Sequence, residues 1–453
     1  MDKTTATLVD YAMDITYGDL APAVVHACRI RLLDTLGCAA GAYDAPVAKS
    51  ARALAHRYTG TPAATVLGSA RQTSAEMAAF ANGVMLRFLD ISDMYRVKSG
   101  GHPSDVIAPI LAVAESVRAD GRATLAAIAV AYEIYCAFCD AIDINSKGWD
   151  QPVYGVLAAA LAVGKLLGLT RAQMGDAVAL ALAPNMALIQ TRRGELSNWK
   201  GCAAANASRN AVFAAVLARD GFTGPTAIFE GRAGVWDVVG RFEWPDFGAR
   251  PSRISRTHLK SFPVCYHGQS AVFAALELRG KVRLEDATAI RIEAYRNAVE
   301  EMGSDPSRWA PATHETADHS LPYVVATALL DGAIDGTSFA PEKLADPRAA
   351  RLMRMTEVIE SPELSARYPG SAPCRLTITL GNGEAVTAHV PSPSGHADNP
   401  LSGAQVEAKF MALTRDFCAV AQSRAIVAAI ASFEHCPDVT QMLRLVDRAQ
   451  AAP

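Results

Sequence analysis

Apolar residues recur at three- and four-residue spacing through the first two-thirds of the chain. Asp19 and Pro22 open one such stripe, which runs through Val25, Cys28, Leu32 and Leu36 to Gly41 and predicts a helix. Ser74 stands as a cap before Met77, Phe80, Val84 and Phe88. Ser104, after Pro103, stands likewise before Ile107, Ile110, Leu111 and Ala114. Further helical patterns cover 125–142, 152–167, 172–183 and 203–220, all rich in alanine. Small side chains let helices approach closely, so the pattern predicts a compact all-α domain.

The period changes after about Arg250. Residues 289–295 alternate as a strand does, and 356–360 form a weaker example. Residues 375–380 and 384–390 flank Gly381-Asn382-Gly383, a hairpin signal because Asn-Gly tolerates positive φ. Helical patterns at 269–278 and 321–330 lie among these strands, and 405–413 and 424–433 are helical again. The reading is a mainly α protein. An all-α domain spans 1–265, an α+β lid is inserted at 266–400, and 401–453 returns to the α domain.

Composition narrows the function. The 453 residues are 50% hydrophobic and 20% charged, which excludes disorder. A net charge of −3 argues against a nucleic-acid partner. The most apolar stretches are broken by Glu115, Glu133 and Lys165, so no membrane span is expected. The first residues lack the order of a signal peptide. Nine scattered cysteines suit a reducing cytoplasm better than a disulfide framework.

Four polar segments carry candidate chemistry. In the first, Asp90 to Asp105, His102 precedes a helix start where an anion is favoured, and Asp90 or Asp93 could orient its ring. In the second, Arg192, Arg193 and Lys200 interrupt an apolar region and fit carboxylate binding. The third, Lys260 to Gln269, lies at the expected domain junction and offers His267 as a second proton-transfer group. The fourth, Asp318 to Tyr323, opens a lid helix from which Tyr323 could reach substrate. Polar loops with ordinary caps are the plainer alternative, and Tyr323 at helical spacing also fits a core. Cys136 and Cys139 form a CxxC that with a third cysteine could hold an iron–sulfur cluster, but inside a helical run it reads as packing; Asp90 with Asp93 is half of an aspartate-rich magnesium motif, and no second acidic motif follows. His396, in the linker leaving the lid, reads as structural. Glycine-rich phosphate fingerprints and zinc-type spacings are absent.

Taken together these stretches resemble the MmgE/PrpD family along nearly the whole chain. The resemblance rests on Arg31-Leu32-Leu33-Asp34-Thr35-Leu36-Gly37, Leu89-Asp90 with His102-Pro103-Ser104-Asp105, and Gly148-Trp149-Asp150. It rests also on Gly194 through Gly201, Ser261-Phe262-Pro263, and Gly395-His396 with Asn399-Pro400-Leu401. That family includes 2-methylcitrate dehydratases, cis-aconitate decarboxylases and an iminodisuccinate epimerase. The resemblance implies a helical body with an α+β lid, a homodimer, and no metal or other cofactor. It implies active-site places for Asp90 and His102, a carboxylate contact at Lys200, Tyr323 in the lid, and looser places for Lys260 and His267. Met94 stands where many members carry threonine. Asp150 stands where the decarboxylases carry a histidine, which favours a dehydratase. The expected activity is acid–base elimination of water from a small tri- or dicarboxylate, with Lys200, Lys260, Arg193 and Asp150 at the substrate. Epimerase or decarboxylase chemistry, an iron–sulfur hydro-lyase and a helical scaffold are the alternatives.

Overall fold

The computed structural model describes residues 1–248 and 250–448. Residues 449–453 of the expected C-terminal segment lie outside the described residues. Helices make up 57% of the molecule and strands 10%, so it is mainly α. The helical stripes of the first two-thirds become Pro22–Gly41, Ala75–Phe88, Ile107–Ser116, Gly121–Ala141, Pro152–Leu166, Arg171–Leu182 and Trp199–Arg219. Pro22 and Pro152 sit at first helical positions, where a missing N–H costs nothing. Asp120 accepts the Ala123 N–H at 2.7 Å to start helix Gly121–Ala141.

These helices share one large apolar core. Helices Ala75–Phe88 and Trp199–Arg219 cross so closely that a Cβ on Gly83 would stand 2.9 Å from the Ala205 Cβ. Helix Gly121–Ala141 is long and apolar enough to cross a membrane, but 89% of its apolar window is buried inside the molecule. It is a buried helix of the core, and Glu133 within it binds Arg253 and the backbone N–H groups of Ser252 and Arg253.

The first two-thirds are not purely helical as expected. Ala63–Thr65 pairs with Gln72–Ser74, and Asp93–Arg96 pairs with both Gly100–Gly101 and His258–Leu259. Strands of two to four residues are too short to produce a two-residue period, so pattern reading misses them. The second group matters for function, because it fixes the segment between Asp90 and His102.

A second apolar core forms from Val264 onward, joined by Met94 from the earlier part of the chain. Its sheet runs in the order Thr356–Glu360, Ala287–Ala294, Cys374–Leu380, Ala385–Val390; the first pair is parallel and the others antiparallel. Ile290, Ile292, Leu376 and Ile378 point into that core, while Arg291 faces out. Helices Gln269–Arg279 and Leu321–Asp331 pack against the sheet. At the hairpin the positive φ falls on Gly383, at 85°.

The chain then returns to the first core. Phe410 of helix Gly403–Thr414 packs over Gly37, where a Cβ would stand 3.0 Å from its ring. Lys409 of the same helix pairs with Asp34 at 2.6 Å and donates to the carbonyl oxygens of Ile91 and Lys260 at 2.7 and 2.8 Å. On the return path Gly395, at φ 96°, accepts the Leu259 N–H through its carbonyl at 2.9 Å; a Cβ there would strike the Leu259 oxygen. His396 stacks on His258 at 4.4 Å, a structural place. The His258 Nδ1 accepts the Ala397 N–H, which requires a neutral ring.

Burial, with His396, Arg31 and Arg256 nearby, depresses the His258 pKa to about 3. An unfolded imidazole takes up its proton near 6.5, whereas the folded one does not. Stability is therefore intact above 6.5 and is lost as pH falls toward 3. The expected contribution of His258 is about 1.4 kcal/mol per pH unit over that window. Urea unfolding at pH 7.5 and 5.5 checks this, and His258→Phe should flatten the dependence by that amount.

Candidate active site

Helix Ala75–Phe88 ends just before Asp90, whose backbone takes the left-handed φ of 48°. That conformation is uncommon for a residue with a Cβ, and it turns the carboxylate into the interior. The carboxylate is buried and ringed by positive charge. Lys260 Nζ lies 2.9 Å from Oδ1, Arg87 Nη2 3.2 Å from Oδ1, and Lys200 Nζ 3.4 Å from Oδ2. Burial opposes its ionisation, but Lys200, Lys260 and Arg87 together hold its pKa well below the carboxylate range. Arg87 also reaches Asp105 at 3.1 Å, and Lys200 reaches Asp318 at 3.2 Å. Three cations thus meet three buried carboxylates. Burial pushes the Asp105 carboxyl up to about 7, against the pull of Arg87.

His102 faces this cluster. Its Nδ1 stands 2.6 Å from the backbone oxygen of Asp93, which can only accept, so Nδ1 carries a proton. The Asp93 side chain instead accepts the Ser104 N–H at 3.0 Å. The free Nε2 lies 3.9 Å from Asp90 Oδ1. Burial first, then Arg87 and Lys260, push the His102 pKa well below 6.5. The ring is neutral at pH 7, with an unprotonated Nε2 beside a carboxylate that can stabilise the imidazolium.

A cavity of about 330 Å³ opens here between the two apolar cores. From the N-terminal half of the chain it is lined by Asp90, Met94, His102, Asp150, Arg193 and Lys200, among others, with Met94 packing into the second core. From the second it is lined by Cys265, His267, Glu301, Arg308 and His319. The buried Asp150 carboxylate accepts from Arg192 Nε at 2.7 Å. It holds a guanidinium whose Nη2 is buried without a hydrogen-bond partner. Among the described residues Arg96 and Arg193 have no carboxylate within 4 Å, although Glu301 and Asp143 act on Arg96 from farther away. His267 Nδ1 bonds Tyr295 Oη at 2.6 Å, and Nε2 lies 3.5 Å from Glu301. Burial depresses the His267 pKa to about 4, so this ring too is neutral at pH 7.

The structure therefore brings Asp90, His102, His267, Lys200, Arg193 and Asp150 to one cavity. Lys260 stands behind Asp90 rather than on the cavity wall, and its ammonium also donates to the Val264 oxygen at 3.4 Å. Tyr323 is not brought to the cavity. Its hydroxyl donates to the Ser338 oxygen at 2.7 Å, its ring packs near Phe339, and it borders a separate hollow. Proline at the first turn of helix Leu321–Asp331 starts the helix there, which turns Tyr323 into the second core.

Cys136 and Cys139 are fully buried in helix Gly121–Ala141, with thiol pKa values pushed up by burial. The Asp90 carboxylate already carries ammonium and guanidinium groups where a magnesium ion would sit. Arg87, Tyr295, Glu301 and Arg308 escaped the sequence reading. Arg87 left a trace, its three-residue spacing from Asp90 across a helix end. Glu300-Glu301 reads as an ordinary solvated pair until the fold turns it inward.

Comparison with known proteins joins this geometry to a family. The MmgE/PrpD N-terminal domain matches residues 6–247, and the MmgE/PrpD C-terminal domain matches 262–435. A 2-methylcitrate dehydratase of Cupriavidus necator is 30% identical over 441 residues, covering 89% of this chain and 87% of that protein. The Salmonella typhimurium 2-methylcitrate dehydratase is 31% identical over 388 residues, covering 81% and 79%. A mitochondrial 2-methylcitrate dehydratase of Yarrowia lipolytica is 27% identical over 441 residues, covering 89% and 82%. The two matched domains meet at the cavity that carries His102 and His267, and on these matches the chain belongs to the MmgE/PrpD family.

Proposed function

We propose that this chain is a hydro-lyase that removes water from a small tri- or dicarboxylate of the 2-methylcitrate type. The observation that carries the reading is a neutral His102, with Nε2 free, in a cavity that also offers unpaired guanidinium groups. The dehydratase names of relatives at about 30% identity support the same chemistry. Arg96, Arg193, Lys200 and the free Nη2 of Arg192 bind substrate carboxylates, and Asp150 positions Arg192. His102 Nε2 takes the proton from the carbon beside a carboxylate, and Asp90 stabilises the imidazolium. The C–H electron pair becomes the new double bond as the C–O bond breaks. The leaving hydroxyl takes that proton from the His102 imidazolium and departs as water, while neutral His267 accepts the hydroxyl's O–H through Nε2 and so positions it. Lys260 acts through Asp90 by holding it ionised.

Residues 266–400 serve as the lid, a reading supported by their separate apolar core and by the return linker anchored at Gly395. Closure would exclude water and strengthen the contacts to carboxylates. Nine free thiols, eight of them buried, fit a reducing compartment such as the cytoplasm. A homodimer is supported by the exposed Leu188, Trp199 and Phe213, two of them on one helix.

Purified protein given 2-methylcitrate or citrate should generate the ultraviolet absorbance of an unsaturated product. His102→Asn should lower kcat by about 10²–10⁴-fold with circular dichroism unchanged. Absence of product from every tricarboxylate tried, with deuterium entering a substrate from heavy water, would replace dehydration by epimerisation. Arg193→Gln should raise KM about 10- to 100-fold with a smaller change in kcat, the worth of one charged hydrogen bond. Light scattering should give twice the chain mass, and Trp199→Glu should halve it; a monomeric wild type would overturn the dimer.

A further inference from the structure

The far wall of the cavity holds a cluster that the elimination uses only in part. Cys265, His267 and Glu301 each present one ligand atom, and the three atoms lie within 4.8 Å of one another. Cys265 and His267 precede helix Gln269–Arg279, and Glu301 belongs to helix Arg296–Met302. All three line the cavity. We propose that they form a reversible site for a thiophilic divalent cation, Zn²⁺ above all, with an open coordination position toward the cavity.

The donor set is the first reason. A thiolate, a neutral imidazole and a carboxylate together neutralise a dication, and sulfur and nitrogen donors select zinc over magnesium. Tetrahedral bonds of zinc length place neighbouring ligand atoms roughly 3.3–3.8 Å apart. Nε2 of His267 and Oε2 of Glu301 already stand 3.5 Å apart. The other two separations are at most 4.8 Å, so the contraction still needed is about an ångström at most.

The second reason is the support behind the imidazole. His267 Nδ1 lies 2.6 Å from Tyr295 Oη, and the Tyr295 ring is stacked on Tyr368 with centroids 4.3 Å apart. The tautomer that donates Nδ1–H to Tyr295 turns the Nε2 lone pair toward Cys265 and Glu301. Metal-binding histidines are oriented in this way by a partner on the other nitrogen.

The third reason comes from a contrast inside the same cavity. Asp90, Asp318 and His319 satisfy the same distance condition. There, however, Lys200 lies 3.4 and 3.2 Å from the two carboxylates and Lys260 lies 2.9 Å from Asp90. Fixed ammonium groups occupy the place of a cation. Among the described residues no lysine or arginine stands within 4 Å of the Glu301 carboxylate, although Arg96 and Arg192 favour its ionisation from farther away.

On binding, the Cys265 S–H bond breaks, its proton passes to water, and the sulfur–metal bond forms with no change in oxidation state. The metal takes the Nε2 of His267 and so stops turnover. Binding follows from geometry alone; the loss of turnover rests on the His267 role proposed above.

The test titrates substrate-free, full-length protein with Co²⁺ in a non-chelating buffer. The expected result is one Co²⁺ per chain with a near-ultraviolet thiolate-to-cobalt band that Zn²⁺ or EDTA removes. Cys265→Ser should abolish the band. Tyr295→Phe should weaken binding about 10- to 100-fold. Glu301→Gln, at a half-buried position that does not threaten folding, should weaken binding as well. No band in the wild type, an equal band in Cys265→Ser, or unchanged affinity in Glu301→Gln would overturn the site. Zn²⁺ should abolish turnover and EDTA restore it. A bound metal with turnover intact would uphold the site and overturn the role given to His267.

Discussion

The molecule is organised around one buried carboxylate. Asp90 brings together cations from three parts of the chain: Arg87 from the helix that ends just before it, Lys200 from the start of helix Trp199–Arg219, and Lys260 from the junction between the cores. An isolated charge cannot be buried, and removing one partner from such a group costs about 3–5 kcal/mol. The same physics says that the cluster as a whole adds little stability over an apolar core of equal volume. Its persistence in the interior is better understood as a device for fixing charges beside a cavity. The left-handed φ of Asp90 fits that view, because local strain survives only where the surroundings over-determine it.

One electrostatic field accounts for both the acid and the base side of the site. Burial first, and then Arg87 and Lys260 among the cations that keep Asp90 ionised, keep protons off His102. The result is a neutral imidazole with its lone pair exposed and a carboxylate 3.9 Å away, ready for the positive charge that proton transfer creates. His267 is neutral chiefly for the same reason, burial, with Arg96, His319 and Lys260 also opposing its protonation. Two histidines of low basicity face one cavity, and each core supplies one.

The positions of these groups depend on distant chain segments. Lys409, more than three hundred residues beyond Asp90, pins the backbone oxygens of both Ile91 and Lys260. Arg31 donates to Thr257 and so ties the early helix Pro22–Gly41 to the strand carrying His258. The return of the chain to the first core is thus part of the active-site scaffold. A break in that return would loosen Asp90 and Lys260 together.

Periodicity read most of the helices and the four strands of the second core, because an element that buries one face repeats at its own period, whereas Gly121–Ala141 and Pro152–Leu166, buried almost all round, were legible as long apolar runs. Polar residues interrupting apolar runs marked Asp90, His102, Lys200 and His267, since an interior can hold such groups only in partnership. The short strands around Tyr95 and His258 left no period to read. Nor did any local signal show that Lys260 would stand behind Asp90, that Asp150 would hold Arg192, or that Tyr323 would turn into the second core. Those outcomes depend on which ionised groups meet when two cores close on one another. The sequence by itself determined which residues must leave water and which must carry charge. Only the tertiary structure decided which charges pair and which remain free for a substrate, because Coulomb attraction acts through space between segments far apart in the chain.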